Sequence, residues 1–211
     1  VVAADKVTHV VWEQGEELFH SYQGPTGWTT PTRVATGESP ALAAAPDGSV
    51  HLAFANEFFG RYEIYHMHWD GVRWWGPYNV SRTTSGVSSL PAITATPDGS
   101  VHIVWADTSP GYSVIYYARG QAPVYETQMV PGATGSAPSL ALTDGAVVHI
   151  AWQDADNGSP ELEIYYTVRR PDGRWDFAQN VSASPGIDSR SPDPTVEEAE
   201  LRLVWQEAGE S

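Results

Sequence analysis

The chain has 211 residues, 41% hydrophobic and 11% aromatic, with nine Trp and ten Tyr, so it carries enough apolar surface for a sizeable core. Its net charge is −15, and Lys6 is the one lysine among eleven basic residues, a surface that repels phosphate backbones and anionic lipid. Cysteine is absent, which excludes disulfides and thiolate metal sites; no apolar run reaches membrane-spanning length, and no signal-peptide pattern opens the chain.

The first periodic segment is THVVW (Thr8 to Trp12), followed by ELFH from Glu17 and TRVA after Trp28. The same order then recurs with a further strand in front. PALAAAPDG from Pro40 leads into SVHLAF ending at Phe54, EIYH from Glu63, and YNVS after Trp74. PAITATPDG from Pro91 leads into SVHIVW ending at Trp105, VIYY from Val114, and TQMV after Val124-Tyr125. PSLALTDG from Pro138 leads into VVHIAW ending at Trp152, EIYY from Glu163, and QNVS after Trp175. The chain ends in LRLVW (Leu201 to Trp205). The acidic stretch Glu197 to Leu201 has the look of a helical turn but stands where the fifth repeat needs its first strand.

These are period-2, β-branched and aromatic runs bounded by turn residues. The Asp-Gly pairs at 47–48, 98–99 and 144–145 supply the positive φ of tight hairpins. Calling the four strands of a repeat A to D, the order is B-C-D, three times A-B-C-D, then A-B: seventeen strands. The strand-B aromatics Trp12, Phe54, Trp105, Trp152 and Trp205 are 42, 51, 47 and 53 residues apart. Four-stranded units at this period predict an all-β chain, a β-propeller of four-stranded antiparallel blades, three complete and partial ones at both ends. The repeats run approximately 1–37, 38–86, 87–135, 136–187 and 188–211, as one propeller or a propeller fragment. A chain starting at Val1 without Met reads as a mature or trimmed piece of something longer. An incomplete ring predicts self-association through apolar end faces around Val10, Trp12, Leu203 and Trp205. Trp105 is expected between blades, with Val101 and Ile103 on its side of the strand.

The turns HWDGVRWW (His68 to Trp75) and RRPDGRW (Arg169 to Trp175) resemble degenerate Asp-boxes, the S-x-D-x-G-x-T-W motif of sialidase-like (BNR-repeat) propellers and some bacterial propeller lectins. Asp70, Gly71 and Trp74, and Asp172, Gly173 and Trp175, take the motif's Asp, Gly and aromatic places. The leading Ser is missing in both, and QGPTGW before Trp28 lacks the Asp. The resemblance implies a propeller fold and a turn-stabilising role for the two aspartates. The arginine motif F/Y-R-I-P that opens the sialidase family is absent, as are nucleophile elbow, phosphate loop and zinc motif. Two opposed carboxylates for glycoside hydrolysis are not marked out among the many acids. No catalytic residue, cofactor or metal is assigned.

Function is expected on the B–C and D–A loops, which vary where the A–B turns repeat. The candidate ligand-binding residues are Asn56, Glu57, Phe58, Phe59 and Arg61 in one of the longer B–C loops; Asp107 and Tyr112; Asp154 and Asp156; and Arg82 and Arg190 from D–A loops. Aromatics beside acids, amides and arginines suit a sugar. The structural alternative is that the second residue after each strand-B aromatic (Gln14, Asn56, Asp107, Asp154, Glu207) closes a turn. His9, His51, His102 and His149 occupy one repeat position and are expected to bond backbone of the adjacent blade. His66 and His68 read as a solvated surface pair. Asn79-Val80-Ser81 and Asn180-Val181-Ser182 match the glycosylation sequon but end the same strand in two repeats. The expected function is recognition of a glycan, or else of a protein partner, from an extracellular or bacterial cell-surface location, without nucleic acid or membrane insertion. A glycoside hydrolase remnant is the third reading.

Overall fold

The computed structural model describes residues 1–143, 146–155, 160–198 and 200–208. Among these residues all regular structure is β: eighteen strands in four four-stranded antiparallel sheets and one two-stranded sheet. Blade 1 holds β1 (His9–Gln14), β2 (Glu17–Gly24) and an outer strand split into β3 (Gly27–Trp28) and β4 (Thr32–Thr36). Blade 2 is β5 (Glu38–Ala44), β6 (Val50–Phe58), β7 (Arg61–Trp69) and β8 (Trp74–Asn79). Blade 3 is β9 (Ser88–Ala95), β10 (Val101–Asp107), β11 (Val114–Gln121) and β12 (Val124–Thr134). Blade 4 is β13 (Ser136–Thr143), β14 (Val147–Ala155), β15 (Leu162–Arg169) and β16 (Gln179–Asn180). Blade 5 contributes β17 (Ser189–Glu197) and β18 (Glu200–Glu207).

The repeat phase is therefore correct, with two differences. The outer strand of blade 1 breaks around Pro31, which has no N–H to give the ladder; beside the break the Tyr22 N–H donates to the Thr29 hydroxyl at 3.1 Å. The count rises to eighteen for that reason. The first repeat also keeps the end of its strand A. Val1 and His9 exchange backbone hydrogen bonds of 2.9 Å, and Ala3 and Lys6 close the same turn as Ala45 and Gly48 in blade 2. Lys6 has φ 66°, taking the left-handed position that glycine fills at Gly48 and Gly99. The stretch from Glu197 to Leu201 is the β17–β18 hairpin, not a helical turn. The Asp144-Gly145 turn lies outside the described residues.

Each full strand A begins with one device. Ser39, Leu90, Ala137 and Ser191 all precede proline, all have φ near +50°, and all sit at a register shift against strand B. A proline cannot donate to the ladder, so a bulge absorbs it. These inner strands line an open cleft of about 290 Å³ with Leu42, Ile93, Leu140 and Thr195 among others.

Side-chain parity on strand B decides what each blade faces. Leu52 and Phe54 pack with Leu18 of blade 1, whereas Ala53 and Ala55 pack with Ile103 and Trp105 of blade 3. Val104 and Ala106 in turn pack with Ile150 and Trp152 of blade 4. Trp105 is fully buried, on one side with Val101 and Ile103, as expected. The chain's two ends lack such covers. Val10 is 41% exposed where its counterparts Leu52, Ile103 and Ile150 are fully buried. Val204 is 59% exposed where Val104 and Ala151 are fully buried. The same parity turns Leu203 and Trp205 toward blade 4, so the open C-terminal face carries Val204 rather than those two residues.

Candidate functional site

On the loop face, the expected Asn56–Arg61 loop is a tight hairpin. The β6–β7 ladder runs out to the pair Phe58–Arg61, leaving Phe59 and Gly60 as the turn. Both have positive φ, 55° and 78°, the requirement of a two-residue hairpin turn. Phe58 is 59% exposed and Phe59 91%, with ring centroids 4.4 Å apart, edge to face. A bulky residue in the left-handed region is strained, and this one is held outward in water. Below the tip, Asn56, Glu57 and Tyr62 line a pocket of about 220 Å³ with Glu16 and Glu38 of the neighbouring loops. The carboxylate charge of Glu38, then burial, then Glu57 and Glu16 push the Tyr62 hydroxyl's pKa up. Arg61 donates to the Thr84 carbonyl.

The other candidates do not gather there. Asp107 is fully buried: it accepts from Ser88 Oγ (2.8 Å), Trp105 Nε1 (3.1 Å) and Ser109 N (2.7 Å), the turn-closing role. Glu207 repeats it with Trp205 Nε1 at 2.6 Å. Asp154 accepts from Thr134 Oγ1 instead. Arg82 crosses to the Pro123 carbonyl of blade 3 at 3.1 Å, and Arg190 pairs with Asp188 at 2.5 Å. Tyr112 is exposed and stands apart from the pocket. Asp156 and Asn157 lie outside the described residues. Both sequon serines, Ser81 and Ser182, bind the carboxylates of Glu63 and Glu163 in their own blades, and both asparagines cap the following turn.

The opposite face, formed by A–B and C–D turns, holds a larger cavity of about 650 Å³. Its lining includes Asp47, Ser49, His51, His66, His68 and Gln121. His66 is buried, which corrects the reading of His66 and His68 as a solvated pair. The recurrent histidines bond side chains of their own blade's strand C, not backbone of the next blade. His9 Nδ1 meets His20 Nε2 and His51 Nδ1 meets His66 Nε2, both at 3.0 Å. His102 and His149 meet the hydroxyls of Tyr117 and Tyr166, both at 2.6 Å. The neighbouring blade then adds an aromatic from strand D: Trp74 Nε1 donates to His20 (3.2 Å), Tyr125 Oη meets His66 Nδ1 (2.7 Å), and Trp175 stands edge-on to Tyr117. Burial lowers the pKa of His20, His51 and His102 to about 4. A sequence signal for this existed: His20, His66, Tyr117 and Tyr166 share one repeat position on strand C, the strand next to the histidine column.

The Asp-box-like turns behave as capped turns. Asp70 accepts from Val72 N and Arg73 N at 2.9 Å and from Trp75 Nε1 at 2.6 Å, which holds its carboxyl down at about 2. The aromatic that binds it is thus Trp75; Trp74 serves the seam with blade 1.

No family model matches the chain, and no curated protein does. Solved structures with a similar architecture include a putative TolB from Agrobacterium tumefaciens, with TM-score 0.58 and 17% identity over 90% of this chain and 62% of that one. A Hadza microbial sialidase aligns with TM-score 0.58 and 10% identity, over 94% of this chain and 50% of its own. The GH93 α-L-arabinofuranosidase of Fusarium graminearum aligns with TM-score 0.60 and 9% identity, over 97% and 86%. The chain spans less than two thirds of the TolB and of the sialidase. At these identities the likeness is one of fold, and the fold is a β-propeller resembling these proteins.

Proposed function

We propose that the chain is a non-catalytic recognition module that binds carbohydrate on its loop face, within an extracellular or bacterial-surface protein. The observation that carries the reading is the β6–β7 hairpin, which holds two phenyl rings in water beside a pocket of amide, carboxylate and phenol groups. Exposed rings offer a stacking platform to the apolar face of a pyranose, and Asn56, Glu57 and Tyr62 offer both donors and acceptors to its hydroxyls. The names of the sialidase and arabinofuranosidase neighbours agree with a sugar-directed surface. A glycan array tests it: binding by the wild-type chain that disappears in Phe58→Ala/Phe59→Ala supports the reading, and an array without hits overturns it. Hydrolysis of an aryl glycoside, lost in Glu57→Gln, would overturn the non-catalytic part.

A second reading, of partners, rests on the uncovered ends. Val10 and Val204 leave open the blade faces that every interior seam buries, and pairing of such faces favours self-association. A contact of this kind should bury more than about 1,000 Å². Light scattering behind size exclusion decides it, and a strict monomer at high concentration refutes it.

A further inference from the structure

The seam between blades 3 and 4 holds the buried side-chain nitrogens that lack a partner among the described residues. In blade 2, His51 Nε2 lies 3.0 Å from Ser49 Oγ; in blade 4, His149 Nε2 lies 2.9 Å from Thr143 Oγ1. Both partners belong to the A–B hairpin. The matching hydroxyls in blade 3 are Ser100 and Thr96, and Thr96 Oγ1 is spent on Asp98 Oδ1 at 2.5 Å and the Ser100 carbonyl at 2.9 Å. His102 Nε2 is left buried without a partner, and so are Arg169 Nε and Trp152 Nε1 of blade 4. A buried donor without an acceptor is destabilising, a loss that a ligand or a side-chain shift can recover.

His102 and Arg169 belong to one cationic patch. Arg119 stands directly across from His102 in the β10–β11 register. The Arg169 guanidinium lies 5.3 Å from the Tyr117 ring centroid, and the Tyr117 hydroxyl is 2.6 Å from His102 Nδ1. With that hydroxyl donating to Nδ1, Nε2 carries the proton. The charges of Arg119 and Arg169 add to burial in holding His102 neutral. Two carboxylates are nearby. Asp98 touches Arg119 at 3.7 Å, the longest of the ion pairs among the described residues, and Glu126 faces Arg119 from β12. Arg119 also lines a cavity of about 480 Å³ with Thr96, Asp98, Leu142 and Thr143, and a second one with Ser100. Thr96 and Ser100, the counterparts of the hydroxyls that the equivalent nitrogens bond in blades 4 and 2, line one cavity each, and His102 lies buried behind Arg119, which lines both. Arg119 and Asp98 have side chains 40% and 58% exposed, so they can swing aside to admit a ligand.

We propose that this cleft is an oxyanion site, in which Arg119 and His102 hold a carboxylate or sulfate group and Arg169 supplies the second positive charge across the seam. In a chain of net charge −15, two arginines and an unpaired imidazole N–H gathered at one seam, with Arg119 on the cleft wall, select for negative charge locally. The site lies on the face opposite the β6–β7 hairpin and does not depend on the sugar reading of that hairpin.

The test is titration of the full chain, isotope-labelled, with glucuronate, acetate and inorganic sulfate at constant ionic strength set by chloride. The readouts are the His102 ring and Arg119 Nε–H resonances. Saturable shifts are expected at millimolar concentrations, weakened about tenfold in Arg119→Gln and partly restored in Arg119→Lys, which keeps the charge but loses the fork. Glucuronate binding more tightly than acetate makes the ligand an acidic sugar, and equal binding makes it a free small anion; both support the site. No saturable shift with any of the three up to roughly 100 mM, or shifts unchanged in Arg119→Gln, overturns it. Phe59→Ala, on the other face, should leave the titration unaltered, so failure here and failure of sugar binding are read separately.

Discussion

Mild acid should unfold this propeller well before its carboxylates titrate. His20, His51 and His102 are each 6% exposed or less, and burial lowers each from 6.5 to about 4. The fold holds the rings neutral, whereas the unfolded chain takes up protons from 6.5 downward. Stability is therefore complete above that value and drains away as pH falls toward 4. At pH 5 each ring contributes about 2 kcal/mol of lost stability, and the three together about 6. That is comparable with the whole stability of an ordinary domain, about 5–15 kcal/mol. Urea unfolding followed by tryptophan fluorescence, repeated from pH 7.5 down to about 5, gives the slope of stability against pH, and with it the proton uptake. At least four protons are expected, since burial also holds His66 well below 6.5, and one fewer in His51→Gln. Equal stability at pH 7.5 and about 5, or the same slope in His51→Gln, would refute the argument that the column is kept neutral by burial. Asp70 and Asp98, both held down at about 2, act in a separate window below their ordinary 3.8.

Trp105→Ala should cost about 3–5 kcal/mol, seen as a melting temperature lowered by roughly 2–4 °C for each kcal/mol, because it empties a fully enclosed site between blades. Tyr125→Phe keeps the ring but leaves His66 Nδ1 buried without its hydroxyl; a loss of about 1–3 kcal/mol by denaturant unfolding is expected, and no loss would mean the seam does not use that bond. Gly135→Ala places a Cβ 2.2 Å from the Gln153 carbonyl at φ +106°, so its melting temperature should fall sharply, by the equivalent of about 2 kcal/mol or more. Phe59→Ala should leave the melting temperature within experimental scatter, since the ring is 91% exposed, while abolishing sugar binding.

The repeat made the fold readable because every blade must meet the next in the same way. Trp105 and its counterparts recur with their neighbours Val101 and Ile103, and strand parity then assigns the two faces. The split at Pro31 and the remnant of strand A at Val1 to Ala3 were harder: both depend on which backbone groups find partners, and residue type alone does not reveal that. The site was less legible. Asp107 looked like a loop acid, but the Trp105 indole two residues back claims it. Asn56 to Arg61 looked like a long loop because its two phenylalanines hide the turn that a glycine and a strained Phe59 create. The cavity on the turn face was missed because its walls come from three blades, and the histidines that line it repeat for structural reasons in each.

One consequence of the histidine column concerns where its protons sit. Asp47 Oδ1 can only accept, so the Ser49 hydroxyl donates to it, at 2.6 Å. Ser49 must then accept from His51 Nε2, which leaves His51 Nδ1 to accept from His66 Nε2, and His66 Nδ1 to accept from the Tyr125 hydroxyl. Four bonds point one way because a surface aspartate stands at their end. The tautomer of a ring enclosed between two blades is thereby written at the rim, and Asp47→Asn, whose amide can donate, would free all four bonds to reverse direction with no heavy atom displaced.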